Sequence, residues 1–354
     1  MNKKWLHRIS LFTIGWIIAL LLWRMVRKVG NQIDLEKFNI EDSLFNTPLK
    51  VVFIAVIAGI LFGSTQYFFE KNILKKRSFR RLLIDGFLIH FIIMLLLYFS
   101  LYVFLRIGNT QFNIRFKDFL TNPILLVNLF YSVLINSFIT ILIYLNKLLG
   151  KGNLAKLLTG RFSMPQEENR VFMFLDLVSS TSLAEKLGHI KYSALIQDCF
   201  YDLEIVEQFG VEIYQYVGDE AVLTWPIRTT ASKPLEQSLK AYFSYSQRLA
   251  SKSEYYQARY NTQPVFTAGL HFGMVTAVEV GTLKREIAYH GDTLNTAARI
   301  QGLCKDYEQR LLISDKVKGS LESTDAFNFE RVGVQQLRGK NEKTTIYSVT
   351  NNTI

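Results

Sequence analysis

Two acidic residues stand where the chain could do chemistry: Asp176 in VFMFLDLVSST and Asp219 in YVGDEAVLTW. Each falls where an apolar, β-branched run gives way to a turn, so each carboxylate belongs to a strand end. Two carboxylates at adjacent strand ends are the donor set that a pair of divalent cations needs to hold a triphosphate. Asn295 and Arg299, within GDTLNTAARI, lie four apart and share one helix face. Ser179, Ser180 and Thr181 follow the first carboxylate and open a helix. Ser180 or Thr181 is expected to cap it, and the backbone N–H groups of that first turn form a seat for phosphate. Glu220 and His271 neighbour these motifs and are read as structural.

The elements that must position these groups follow in a clear order. A buried strand over 171–178 leads into a helix with apolar residues at Leu183, Leu187, Ile190, Leu195, Cys199 and Leu203. Strands over 212–217 and 221–225 flank Gly218-Asp219, a hairpin signal. A long helix is expected over 235–260, then a strand pair around Gly273, a helix opening at Asp292, and short strands over 311–314, 327–332 and 345–349. This is an α+β order with a mostly antiparallel sheet. Cys199 and Cys304 show no metal-ligand spacing and read as reduced core residues.

The first half of the chain has a different character. Four apolar runs, 9–26, 51–69, 82–105 and 123–144, are long enough to span a bilayer as helices. The first runs past Trp23 into Arg24 without a small-residue cleavage pattern, so it reads as a retained helix, not a signal peptide. Residues 1–160 carry 20 basic against 7 acidic residues, whereas 161–354 carry 21 against 23. The basic excess therefore shares the half that holds the apolar runs and reads as membrane topology; no nucleic-acid partner is expected. The N-terminal tail, the 70–81 loop and the stretch after the fourth run hold 13 Lys and Arg, against 8 in the other two loops. That bias puts both termini in the cytoplasm and the chain in the inner (plasma) membrane as a multi-pass protein with lipid contacts.

Within the runs, Asp85, His90, Asn128 and Asn136 read as helix-packing glue, with a ligand- or ion-sensing pocket as the sharper alternative. The domain reading is a four-helix transmembrane domain over 1–145, a linker over 146–165 and a catalytic domain over 166–350. The linker is expected to continue the fourth helix, with Leu149, Leu154, Leu157 and Leu158 near helical spacing and Gly150, Gly152 and Gly160 interrupting it. It is long enough to bring two copies of that helix together.

Residues 168–350 resemble the catalytic domain of a class III nucleotide cyclase. The resemblance rests on FLDLVSST, YVGDEAVLTW, GLHFG, GDTLNTAARIQ and LRGKNEKTTIYSV, in family order and at family-like spacing. A GDE alone would equally suit the palm of a diguanylate cyclase, but the GDTLNTAAR element is not part of that pattern. The resemblance implies a ferredoxin-like, palm-type sheet with helices, and conversion of ATP to cyclic AMP and pyrophosphate. It implies two ions, Mg²⁺ or Mn²⁺, bridged by Asp176 and Asp219, with the backbone carbonyl of Leu177 as a further ligand. By the same resemblance Asn295 orients the ribose, Arg299 stabilises charge on the α-phosphate, and Arg338, or its neighbour Lys340, binds the terminal phosphate. In such enzymes the carboxylate pair and the Asn/Arg pair come from different chains of a head-to-tail homodimer.

This sequence departs from the family at the base. Gln215 and Ala288 occupy the positions that commonly select adenine, and neither is the usual residue. Gln215 can donate to and accept from a base edge; Ala288 offers no polar group, and Tyr289 or His290 could substitute by stacking or hydrogen bonding. Ser179-Ser180 also stand where a Gly is common in the phosphate turn, which restricts backbone approach. ATP is the expected substrate, with GTP or a pyrimidine triphosphate as alternatives. A non-catalytic nucleotide-binding membrane sensor is the competing class, and a small transporter with a regulatory domain a third.

Overall fold

The computed structural model describes residues 3–29, 48–73, 79–108, 115–150, 152–322, 326–337 and 342–352. The chain divides into two compact units, Met1–Lys147 and Leu148–Ile354.

The first unit is helical: α1 (Lys3–Val29), α2 (Pro48–Ile73), α3 (Phe79–Gly108), the short α4 (Phe116–Leu120) and α5 (Pro123–Leu148). The four long helices are long and apolar enough to cross a membrane, at Lys4–Met25, Val51–Glu70, Leu83–Phe104 and Leu125–Leu148. Small residues set the approach of α1 to α2. A Cβ on Gly59 would sit 1.9 Å from Thr13 Oγ1, and one on Gly63 would sit 2.7 Å from the Ile9 Cα, so the two backbones nearly touch. Asn136 behaves as the expected glue: its buried Oδ1 accepts from Trp16 Nε1 at 3.1 Å. His90 is also buried, edge-on to Phe12 and Phe62.

The expected interruption of the linker at its glycines is present. Helical continuity from α5 is lost at Gly150 and Gly152, whose φ angles of +88° and +81° lie in the left-handed region. Only a short helix, α6 (Asn153–Leu158), follows. Its Lys156 donates to Glu212 at 3.0 Å, and the carbonyl of buried Phe162 accepts from the Glu279 N–H at 2.7 Å. The linker is therefore bonded onto the catalytic sheet itself.

That sheet has eight strands: β1 (Gln166–Leu177), β2 (Glu212–Val217), β3 (Glu220–Pro226), β4 (Phe266–Val280), β5 (Glu286–His290), β6 (Leu311–Ser314), β7 (Phe327–Gln335) and β8 (Thr344–Asn351). The order is β2-β3-β1-β4-β6-β8-β7, with β5 paired to β4; every pairing is antiparallel except β4 with β6. Central β1 is buried over six successive residues, Val171 to Leu175 among them, as a strand covered on both faces must be.

The other helices described in this unit are α7 (Ser180–Asp202), α8 (Ser232–Ala250), α9 (Ser253–Tyr260), α10 (Asp292–Gly302) and α11 (Asp315–Ser320), with a 3₁₀ segment at Leu203–Phe209. The single long helix expected over 235–260 is thus two, broken at Ser251-Lys252. Two buried carboxylates on α7 hold the pieces: Asp202 accepts from Arg248, Lys252 and Tyr256, and Asp198 from Tyr255 and Tyr260. Cys199 and Cys304 are buried and reduced.

Candidate active site

Register brings the two carboxylates together. Leu175 pairs with Ala221 across β1 and β3, and Val217 pairs with Glu220 across the hairpin. Asp176 therefore comes level with the Asp219-Glu220 corner. Gly218, at φ +62°, allows the turn. Burial, and then the negative charge of Asp219, push the Asp176 carboxyl above the usual carboxylate range. Glu220 is raised too, by burial and then by Asp176 and Asp219. Against this, the Leu177 N–H and the Gln301 amide donate to Asp176.

This corner fits a hard divalent cation. Asp219 Oδ2 is buried without a hydrogen-bond donor, beside a carboxylate whose charge it repels. Like charges crowded together with vacant lone pairs are what a metal ion relieves. Among the described residues, no three His, Cys, Asp or Glu side chains gather as a ligand set. An ion held by these two carboxylates would complete its shell with backbone carbonyls, water or phosphate oxygens, as Mg²⁺ does.

The phosphate turn differs in detail from expectation. Helix α7 begins at Ser180, and neither Ser180 nor Thr181 caps it. The N-cap is Ser179, with φ 59° and ψ 34° and no side-chain cap bond. Ser179 holds a left-handed conformation that a Gly would adopt without strain, which is the physical content of the departure noted in the sequence. Thr181 is exposed and Leu177 is buried.

Helix α10 presents Asn295 exposed and Arg299 half-buried, one turn apart. Arg299 Nη1 makes no hydrogen bond and lies 3.9 Å from Asp292 Oδ1. Among the described residues, neither side chain bonds to Asp176 or Asp219 of the same chain. The members of each pair are thus neighbours, and among the described residues no hydrogen bond or ion pair joins one pair to the other. Arg338 and Lys340 lie outside the described residues.

A family model for the adenylate and guanylate cyclase catalytic domain matches residues 162–351. Adenylate cyclase 2 of Rhizobium meliloti (strain 1021) is 30% identical over 291 residues, covering 80% of this chain and 79% of its own length. The chain belongs to the adenylate and guanylate cyclase family. The match to this relative is longer than the catalytic unit, so it extends into the helical half. Adenylate cyclase 1 of the same organism is 26% identical over 54% of this chain and 28% of its own length. A bacterial light-regulated adenylyl cyclase superposes with a TM-score of 0.54 over 65% of this chain and 67% of that one, at 18% identity. That last likeness concerns the fold.

In this class III cyclase the base-facing candidates sit on separate strands: Gln215 exposed on β2, opposite Val222, and Ala288 half-buried on β5, opposite Val278. Tyr289 is not available to stack on a base. Its ring is buried against Phe172 and Tyr214, and the Arg170 guanidinium lies 4.7 Å above it. Arg170 is itself buried and paired with Glu168 and Glu212. His290 remains exposed.

Two polar side chains at the carboxylate corner were not foreseen. The Tyr192 phenol faces Asp219 and Ser180 and is raised by burial and by Asp219. Gln301 Nε2 donates to Thr267 Oγ1 at 3.1 Å and to Asp176 Oδ2 at 3.5 Å. Gln301 closes the TAARIQ motif, so its position was visible and its direction was not. Tyr192 carries no sequence signal, since the bend at Gly188 (φ 70°) lies between it and the start of α7. A cleft of about 610 Å³ lined by Tyr192, Ile196, Phe200, Tyr216 and Gly218 adjoins this corner, and its lining has no charged side chain.

Proposed function

We propose that this chain is a membrane-anchored adenylate cyclase that converts ATP to 3′,5′-cyclic AMP and pyrophosphate as a homodimer. The observation that carries the reading is the corner itself. Asp176 and Asp219 crowd together, one oxygen of Asp219 buried and unbonded, in a domain of cyclase type. The 30% identical adenylate cyclase, aligned over 79% of its own length, supports adenine as the base.

Asp176 and Asp219, with the Leu177 carbonyl, would hold two Mg²⁺ or Mn²⁺ ions, whose chemistry is to acidify the ribose 3′-hydroxyl and neutralise the β- and γ-phosphates. The first turn of α7, from Ser179 through Thr181, offers backbone N–H groups to the phosphates. Arg299 meets the charge that builds on the α-phosphate, an interaction stronger in the transition state than in the ground state. Asn295 orients the ribose. Gln215 and Ala288 border the base, and Arg338 or Lys340 meets the terminal phosphate. Because Asn295 and Arg299 leave their own Asp pair unaddressed, a second chain supplies them, and a head-to-tail dimer holds two equivalent sites.

Residues 1–145 form the membrane domain, 146–165 the linker and 166–350 the catalytic domain, with both termini in the cytoplasm where ATP is. GTP or a pyrimidine triphosphate is the second reading, favoured by Ala288, which has no polar group to discriminate adenine. The test is the full-length protein in detergent with Mn²⁺ and each of the four nucleoside triphosphates, products identified by mass spectrometry. Cyclic AMP from ATP in clear excess is expected. Preferential turnover of another triphosphate would overturn the base assignment, and binding without turnover would make the chain a sensor.

A further inference from the structure

We propose that Gln301 is a positioning residue: its side-chain amide holds the Asp176 carboxylate in place and ties it to the helix that carries Asn295 and Arg299. The inference rests on the reading of Asp176 as a metal carboxylate.

Three contacts close a ring around Asp176. Its strand partner on β4 is Thr267, whose hydroxyl donates to the Asp176 main-chain carbonyl at 3.4 Å. Gln301 Nε2 then donates to Thr267 Oγ1 at 3.1 Å and to Asp176 Oδ2 at 3.5 Å. The orientation of the amide follows from chemistry. An ionised carboxylate only accepts, and the Thr267 proton is already engaged, so both neighbours require the NH₂ end. Asp176 is thereby held by its backbone and its side chain together.

A separate observation shows that the helix is built to reach this point. Gly269 lies two residues along β4, directly beneath α10. A Cβ there would fall 2.1 Å from the Gln301 backbone nitrogen and 2.5 Å from the Ala297 carbonyl oxygen. The helix backbone therefore rests on the strand backbone with no side chain between them, and this contact brings the Gln301 amide within range of Asp176.

The consequence lies in the geometry of α10. Gln301 is two residues from Arg299, about 200° around the helix, so the two leave from opposite faces. One face meets Asp176 of its own chain, while the other carries Asn295 and Arg299. In the homodimer proposed above, one rigid helix thus belongs to both sites: it steadies the metal carboxylate of one and supplies the guanidinium of the other.

The test uses full-length protein in detergent: wild type, Gln301→Met, Gln301→Glu and Asp176→Asn. Met keeps the length and apolar stem of Gln without donors; Glu keeps its shape and adds a negative charge beside Asp176. Mn²⁺ binding is read by the electron paramagnetic resonance of the unbound ion, with an unreactive ATP analogue present, alongside Tm, kcat and KM. Expected for Gln301→Met is a Tm near wild type, Mn²⁺ binding weaker by about tenfold, KM for ATP little changed, and kcat recovered by raising Mn²⁺. Gln301→Glu should weaken Mn²⁺ binding at neutral pH at least as much, which keeps the test open if the Met variant folds poorly. Wild-type Mn²⁺ affinity in both Gln301 variants, with loss in Asp176→Asn, would overturn the role of Gln301 alone. Wild-type affinity in Asp176→Asn would overturn the metal reading of Asp176 and this inference with it.

Discussion

Asp176 shows how far a single residue can be read from sequence and where reading stops. That it ends a strand was legible, because the apolar run before it is unbroken and the turn residues after it are small. That burial and Asp219 raise its carboxyl was not, since this depends on the register of β1 against β3. The raised value has a consequence for stability. Folding favours the protonated carboxyl, so this contribution is most favourable below the unfolded carboxylate pKa of about 3.9. It declines as pH rises from there through the raised folded value. Asp176→Asn should therefore raise the Tm of the metal-free protein at neutral pH, by an increment that shrinks toward acid, while abolishing cyclase activity. A lower Tm at neutral pH would contradict the crowding of charge at this corner. Ser179 gives a second residue-scale prediction. Its left-handed φ costs an L-residue about 1–2 kcal/mol, and Gly would return roughly 0.5–1 of that as chain entropy. Ser179→Gly should stabilise the protein by about 0.5 kcal/mol in denaturant titration, and a net loss of stability would show that the Ser179 hydroxyl has a partner worth more than the strain.

At the scale of elements, the order of strands and helices was legible because hydrophobic period changes cleanly at Gly, Asp and Ser. The strand pair expected around Gly273 is one continuous strand, β4, and one helix break was hidden for a physical reason. Helices α8 and α9 look continuous because Tyr245, Leu249, Tyr256 and Tyr260 all turn inward at helical spacing, and the break at Ser251-Lys252 is held by carboxylates on another helix. The linker's break was visible in its glycines: Gly150 and Gly152 interrupt the leucine spacing, and their positive φ ends the helix. The packing of α10 onto β4 depends on one missing side chain. Gly269→Ala puts a Cβ against helix backbone, which cannot swing aside as a side chain can. It should cost roughly 1–3 kcal/mol and lower kcat more than Gln301→Met does, because Arg299 moves with the helix. An unchanged denaturation midpoint would mean that α10 sits off the strand.

For the whole molecule, the division of labour was legible in charge and hydropathy: an apolar, basic front half and a nearly neutral catalytic half. The proposed pairing of chains rests on the family resemblance, because no spacing within one sequence reveals that a site is completed by a second copy. Cysteines placed singly in the 70–81 loop and the 106–121 loop test the topology: an impermeant thiol reagent added to intact cells should label the second and spare the first. The reverse pattern would put the catalytic half outside the cell. The shared site is tested by expressing Asp176→Ala and Arg299→Ala chains alone and together in full-length form and measuring cyclic AMP. Each alone should be inactive. Random pairing makes half of the dimers mixed, each with one intact site of two, so the mixture should recover about a quarter of wild-type activity. Verified mixed dimers that form no cyclic AMP, or either variant retaining full activity alone, would contradict a site built from two chains.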